Sequence, residues 1–436
     1  MATLEMSSVL SKDPLPKDHF LKDLPVDGQG GSQPSAIKRT CICAAWLVLA
    51  MLTTVWAHAQ TFAILHTFTG TPDGATPEAG LLRDSEGNLY GTTNAGGASG
   101  NGTVFEISNE GVETILYSFA GWPDGSQPSD ALIEDAEGNL YGTTVNGGRY
   151  SDGTVFKLTK SGVETVLHNF GGSSDGSSPE AGLTMDAAGN LYGTTLYGGS
   201  GNCMTGCGTI FKVTAAGVET VLYSFQSGDY NGYHPQGGLV LSSAGNLYGT
   251  TTWGGRTNCG AFGCGVIYEL YHTPKGWAFS TLHRFSGAPS DGEGPTSAMI
   301  FDSAGNLFGT TTQGGAKNQG TIFQYAPTGS VYVLHSFNFS DGSDPYGGVV
   351  RDAAGNFYGA TAEGPDTSGC AGYGCGTIFK MTPEGTLTTL FAYPNSGSEG
   401  YLPDGGLVRD PEGNLYGTTR TQEVSPYDGN VFELTP

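Results

Sequence analysis

Apolar and polar positions from Glu78 to Phe119 alternate in four short runs separated by turns. AGLLRD is a brief apolar run, SEGN a turn, and LYGTT a second run; a loop with Gly96 and Gly97 leads to GTVFEI, then SNEG, then ETILYSF. The last run puts Ile115, Tyr117 and Phe119 at every second position, the period of a strand with one packed face. Four short strands joined by turns and one longer loop predict an antiparallel meander.

The meander recurs along the chain. GNLYGTT begins at Gly87, Gly138, Gly189, Gly245 and Gly413, with GNLFGTT at Gly305 and GNFYGAT at Gly355, in steps of 51, 51, 56, 60, 50 and 58 residues. A four-stranded unit of about 50 residues has the length of one propeller blade. A small residue leads into each first strand, at Gly80, Ala131, Gly182, Gly238, Ala298, Gly348 and Gly406. Bulky side chains would collide near a shared axis, so radial packing asks for such a column. TFAILHTF at Thr61 to Phe68 matches a fourth strand without the preceding three, and the chain ends in GNVFELTP, a third strand without a fourth. The expectation is an all-β fold over residues 60–436: a seven-bladed propeller of four-stranded antiparallel blades, closed by the N-terminal strand pairing with the last blade.

The pattern breaks before residue 60. Residues 1–37 are polar, with four prolines and no apolar period, and read as a disordered or non-native extension. Over 38–59, Lys38 and Arg39 precede the apolar run Cys41 to Ala57, and Ala57-His58-Ala59 supplies a small-residue cleavage pattern. This is the form of a secretory signal peptide, with an uncleaved anchor as the alternative. After cleavage no stable membrane insertion is expected.

Charge then narrows the partners. The 436 residues carry a net charge of -23, and the first 59 contribute five basic and five acidic side chains, so the excess sits in the repeats. An acidic body is a poor match for nucleic acid or an anionic membrane.

Three cysteine pairs fall in the loop between second and third strands of their units: Cys203 and Cys207, Cys259 and Cys264, Cys370 and Cys375. Disulfide pinning of these loops fits the spacing and an exported setting, whereas a zinc site wants four ligands and each loop offers two. His66, His168, His283 and His335 share one position of the fourth strand with Tyr117, Tyr223 and Phe391, the mark of packing. The turn DGxxP recurs at Asp73, Asp124, Asp175, Asp291 and Asp341; turn chemistry explains it, with calcium held by these carboxylates as the alternative.

The pattern DGxxPxxGLxxDxxGNLYGTTxxGGxxxxGTVFxLxxxGxxTxLxSF resembles the Gloeo/Verruco (GloVer) tandem repeat family of exported bacterial proteins across residues 61 to 436. The resemblance implies a propeller at the cell surface or outside the cell, often with a C-terminal anchor. This chain ends at Pro436 directly after a strand, which places anchoring by its own C-terminus in doubt. No activity follows from the resemblance.

Function is sought where the copies disagree. The second residue after GTT reads Ala95, Asn146, Tyr197, Trp253, Gln313, Glu363 and Thr421 in successive units. Meander connectivity gathers this position, the cysteine loops and the DGxxP turns on one face. The polar and aromatic set Asn146, Tyr197, Trp253, Gln313 and Glu363 suits a glycan or a protein ligand outside the cell; drift at an exposed position explains the same variation. An enzyme needs one asymmetric cluster, yet acidic residues come mainly as repeated columns, and His234 and His272 have no sequence partners. The leading reading is a secreted or cell-surface binding scaffold without a cofactor other than calcium. A carbohydrate-active or lactone-cleaving enzyme with its site near the axis, and a purely structural surface protein, are the alternatives.

Overall fold

The computed structural model describes residues 60–227, 230–255, 259–365, 370, 374–394, 399–420 and 428–435. Residues 1–37 and 38–59, expected to be an extension and a signal peptide, lie outside this set, as does Thr421. Every regular element among the described residues is a β-strand, and none is a helix long and apolar enough to cross a membrane.

Seven four-stranded antiparallel sheets form a seven-bladed propeller. Blade 1 runs outward as Leu82–Arg83, Leu89–Thr93, Thr103–Ile107 and Glu113–Ser118. Its first turn closes because Gly87 takes φ 93° and the Asp84 carboxylate accepts the backbone N–H of Glu86 and Asn88 at 2.9 and 2.8 Å. Asn88 Nδ2 and Tyr90 Oη donate to the same carboxylate, which ties the turn to the strand that follows. The last blade takes Val408–Arg409, Leu415–Thr419 and Asn430–Thr435 from the end of the chain and Thr61–Thr67 from its start, registered from Thr61 opposite Thr435 to Thr67 opposite Asn430. The expected closure is therefore present.

Two features depart from the sequence reading. First strands are shorter than the apolar runs that announced them: two residues in six blades and three, Val349–Arg351, in the other. The rest of each run meets the neighbouring blades at the axis, where a Cβ on Gly347 would fall 2.6 Å from the Gly405 carbonyl and one on Gly80 3.3 Å from that of Gly406. The second departure is a set of two-residue ribbons. Gly74–Ala75 pairs with Ala95–Gly96, Gly125–Ser126 with Asn146–Gly147, and Gly292–Glu293 with Gln313–Gly314. Single bridges between Ser177 and Tyr197, Tyr233 and Trp253, and Ser343 and Glu363 do the same in three more blades. In these six blades they fasten the turn before the first strand to the residues after GTT on the same blade.

Adjacent blades are joined by one repeated contact. The proline of each DGxxP turn, or of its counterparts at Pro235 and Pro403, packs on the glycine that opens the third strand of the preceding blade: Pro128 on Gly102, Pro235 on Gly208, and so around the ring to Pro77 on Gly429. All seven of these glycines have φ between 88° and 105°, and a Cβ on any of them would lie within 2.8 Å of the proline Cδ. The residue before each proline also has positive φ, and its backbone is used twice. His234 N–H donates to the Cys207 carbonyl of the preceding blade at 3.0 Å, and its carbonyl accepts from Thr252 N of its own blade at 3.1 Å. Thr92, Thr143, Thr194 and Thr418 add side-chain bonds to carbonyls of the next blade.

Between these contacts lie the cores, each of which spans two blades. Val104 and Phe119 of blade 1, for example, pack with Leu132, Leu140, Phe156 and Leu158 of blade 2. Apolar burial of this kind is the main stabilising term of the fold.

The three cysteine pairs are disulfides: Cys203 with Cys207, Cys259 with Cys264, and Cys370 with Cys375, at Cα separations of 5.2, 5.2 and 5.4 Å. They are more than the loop pins expected from sequence. Cys207, Cys264 and Cys375 are each at most 1% exposed, and each belongs to a core shared by two blades, Cys375 beside Ile378, Tyr393 and Leu407. Each bridge therefore ties its loop to a core, because the second cysteine lies just before the buried third strand.

The Gly-Pro column gives a paired test. Gly208→Ala puts a Cβ against backbone and the Pro235 ring, whereas Gly111→Ala, at φ 80°, meets nothing within 4 Å. The first is expected to lower the melting temperature clearly more than the second in thermal denaturation followed by circular dichroism; equal shifts would contradict the role given to the Gly-Pro contact.

Candidate functional site

The repeated contact has a consequence at the axis. With the proline fixed on one side and the small residue three positions later fixed on the other, the residue just after each proline is aimed inward. These seven residues, Glu78, Ser129, Glu180, Gln236, Thr296, Tyr346 and Asp404, all line one cavity of about 700 Å³. The first residue after GTT contributes as well, through Asn94, Val145, Ala362 and Arg420, which places the cavity at the long-loop end of the axis.

Polar groups cross it. Gln236 Nε2 donates to Tyr346 Oη at 2.7 Å and lies 3.2 Å from Glu180 Oε2, linking blades 4, 6 and 3. Arg420 Nε is 3.1 Å from Glu78 Oε1 and its Nη1 3.7 Å from Asp404 Oδ2, which joins blades 7 and 1. Among the described residues, six carboxylates line the cavity, on Glu78, Asp130, Glu180, Asp344, Glu363 and Asp404, against the one guanidinium of Arg420.

Burial makes this charge costly. It pushes Asp344 up to about 7, helped by Glu363 and Asp404, and the Oδ1 atom of Asp344 is buried without a hydrogen-bond partner. Burial lifts Asp404 to about 6 against the pull of Arg420, and Asp130 to about 6 against hydrogen bonds from the Ala131 and Gly182 amides. Glu78 and Glu180 are raised for the same reason.

The residues singled out from sequence are distributed differently. Glu363 lines the axial cavity, where its Oε2 accepts from Ser343 Oγ at 2.9 Å. Asn146 is exposed on its ribbon and donates to Gln127 Oε1, and Gln313 is exposed on the corresponding ribbon of blade 5. Tyr197 and Trp253 meet at His234, with ring centroids 5.0 and 4.4 Å from the imidazole. Only the last two are brought together, so the five do not form one site. The residue after the proline was overlooked because its neighbours, a turn and a glycine column, read as scaffold; its variation from Glu to Ser, Gln, Thr, Tyr and Asp was the available signal.

The DGxxP aspartates bond to the fourth strand of the preceding blade. Asp73, Asp175, Asp291 and Asp341 lie 3.1 to 3.2 Å from Nε2 of His66, His168, His283 and His335, and Asp124 accepts from Tyr117 Oη at 2.9 Å. Backbone amides, such as Thr69 N on Asp73 and Ala120 N on Asp124, fill further acceptor positions. Each of the four histidines also packs edge-on against the phenylalanine two residues later, at 4.7 to 4.9 Å. Among the described residues one group offers three ligand atoms within 4.8 Å of one another, His66, Asp73 and Glu113, at the seam where the ring closes.

The Gloeobacter/Verrucomicrobia repeat matches residues 52–263 and, overlapping them, 204–432, and so covers the ring of blades just described. The chain belongs to this family. No curated protein matches it. Among solved structures it is similar to the extracellular domain of BT4673 from B. thetaiotaomicron, described as a putative one-component system, at 12% identity and a TM-score of 0.52, over 84% of this chain and 39% of that one. This likeness shows the fold alone. A gluconolactonase from Xanthomonas campestris has 12% identity and a TM-score of 0.42 over 86% of this chain and 89% of its own. A luciferin-regenerating enzyme has 14% and 0.44 over 87% and 96%.

The titrating groups of this family member set its response to pH. Asp130, Asp344 and Asp404 at the axis, and Glu164 and Glu219 at the outer rim, are raised by burial to between about 6 and 7, so folding takes up protons there. Burial lowers His168 and His234, which oppose the trend below their ordinary value. At Asp84, Asp135, Asp186, Asp302 and Asp352 burial is outweighed by hydrogen bonds, so these turns weaken only when pH falls below the usual carboxylate range. Five acids raised to about 6 or 7, against two lowered histidines, predict a melting temperature that rises from about pH 8 to about pH 5 and falls steeply below about pH 3. A calorimetric profile flat between pH 8 and 5, on the order of the experimental error, would contradict this.

Proposed function

We propose that the protein is an extracellular binding scaffold whose axial cavity takes a small ligand bearing a positively charged nitrogen. The observation that carries the reading is the excess of six carboxylates over one guanidinium in a cavity whose burial penalises uncompensated negative charge. A bound ammonium relieves that penalty, and its N–H groups reach acceptors such as the unpartnered Asp344 Oδ1. Disulfides in three loops support the exported setting. A second reading, proton-transfer chemistry on the bound ligand, draws on Asp344, since an acid held at about 7 beside Glu363 and Asp404 has the proton affinity of a general base.

Spermidine tests the binding reading, with a neutral diol of similar length as the control. Calorimetric titration is expected to show saturable binding of spermidine and none of the diol. Glu78→Gln and Asp404→Asn should weaken it by about tenfold each, the scale of a lost charged hydrogen bond. Affinity should fall as pH drops below about 6, where the axial carboxylates take up protons. Glu110→Gln, in a third-to-fourth-strand turn on the opposite face, should bind like the parent. Equal losses in all three variants would mean diffuse attraction to an acidic surface, and the reading would fail.

A further inference from the structure

A second cavity lies away from the axis, between blades 3 and 4 on the long-loop face. It measures about 320 Å³ and is lined by Met204, Tyr233, His234, Trp253 and Phe262 together with Cys203, Thr205 and Ser227. Two exposed apolar side chains form its walls: Met204, fully exposed, and Phe262, 57% exposed. Each belongs to a loop closed by a disulfide, Cys203–Cys207 around Met204 and Cys259–Cys264 around Phe262. The bridges therefore hold in place two side chains that water alone would not keep exposed. Phe262 lies nearly parallel to Trp253, with centroids 4.8 Å apart and planes at 27°.

His234 is the polar member. Its backbone is fixed between blades by hydrogen bonds with Cys207 and Thr252, and its ring is held by Tyr197, Tyr233 and Trp253 at 4.4 to 5.1 Å. The residue is only 7% exposed, and Nε2 is buried with no hydrogen-bond partner. Burial lowers the proton affinity of the imidazole against the pull of the Gly206 backbone, and with that backbone as acceptor for the other ring nitrogen, Nε2 presents a lone pair. A buried acceptor without a donor costs free energy that a ligand returns by supplying one.

We propose that this cavity binds one pyranose residue of a neutral saccharide, with its apolar face against the Trp253–Phe262 pair and one hydroxyl donating to His234 Nε2. A pyranose combines the two features the site requires, a flat C–H face and a hydroxyl edge. The protein's net charge of -23 disfavours acidic sugars. The two cavities share no lining residue, so success or failure here is independent of amine binding at the axis.

The test uses the mature protein and methyl glycosides of glucose, galactose, mannose and N-acetylglucosamine, followed by saturation-transfer NMR and tryptophan fluorescence. At least one glycoside is expected to bind saturably and quench fluorescence. Phe262→Ser, at an exposed position that leaves the core intact, should weaken binding by about tenfold. His234→Phe should remove the penalty for one deoxy analogue: the parent loses about tenfold when that hydroxyl is missing, the variant nothing. Asp404→Asn should leave saccharide binding unchanged. The proposal is overturned if no glycoside binds, if Phe262→Ser binds as well as the parent, or if N-acetyltyrosine amide competes better than every glycoside, which would mark a peptide site.

Discussion

The contact of a proline with a glycine of the preceding blade carries the architecture. Each blade is a small twisted sheet that cannot bury its own faces, and the ring is stable only because neighbours share cores. The attraction within those cores is non-directional. The proline ring on a glycine at positive φ adds a directional constraint, and the residue before the proline reinforces it by bonding to both blades. Seven repeats of this contact fix the spacing of the blades around the axis.

The same constraint determines where variation has chemical effect. Between the proline and the axial glycine or alanine only two residues intervene, and the first lies in the central cavity in every blade. A change there alters the cavity without touching a core or a turn. The carboxylates that accumulate at this position and beside it are held at raised proton affinity by burial, which is a stability cost to the fold at neutral pH.

Much of the fold was legible because its signals are local. The GN turn, the alternation in LYGTT and GTVFEI, and the orphan strand TFAILHT at the start each state a backbone preference that the structure realises, including closure of the ring by Thr61–Thr67. The packing role of the histidine column was also legible in its exchange with tyrosine, but the bond that both make to the turn aspartate was not. The cysteine pairing followed from spacing, but the burial of Cys375 and its counterparts did not, because a core shared by two blades leaves no mark on a loop sequence. The site was less so. Trp253 and Tyr197 were found through their chemistry, but their meeting place, His234, was set aside for lack of a sequence partner; its partners come from two blades. Glu363 was named for its position on a loop, and it lines the axial cavity together with Ala362 before it. Glu78, Glu180 and Asp404 were hidden by proximity to turn residues, because one chain read in order does not reveal which way a two-residue segment between fixed points will face.

Whether the residues after the prolines form the binding site is decided by crystals soaked with a bromine-labelled primary amine and measured by anomalous diffraction at the bromine edge. A peak inside the axial cavity, with the amine nitrogen among Glu78, Asp344 and Asp404, is expected. A peak confined to the outer rim near Asp73 and Glu113, or an axial cavity without one, would contradict that assignment.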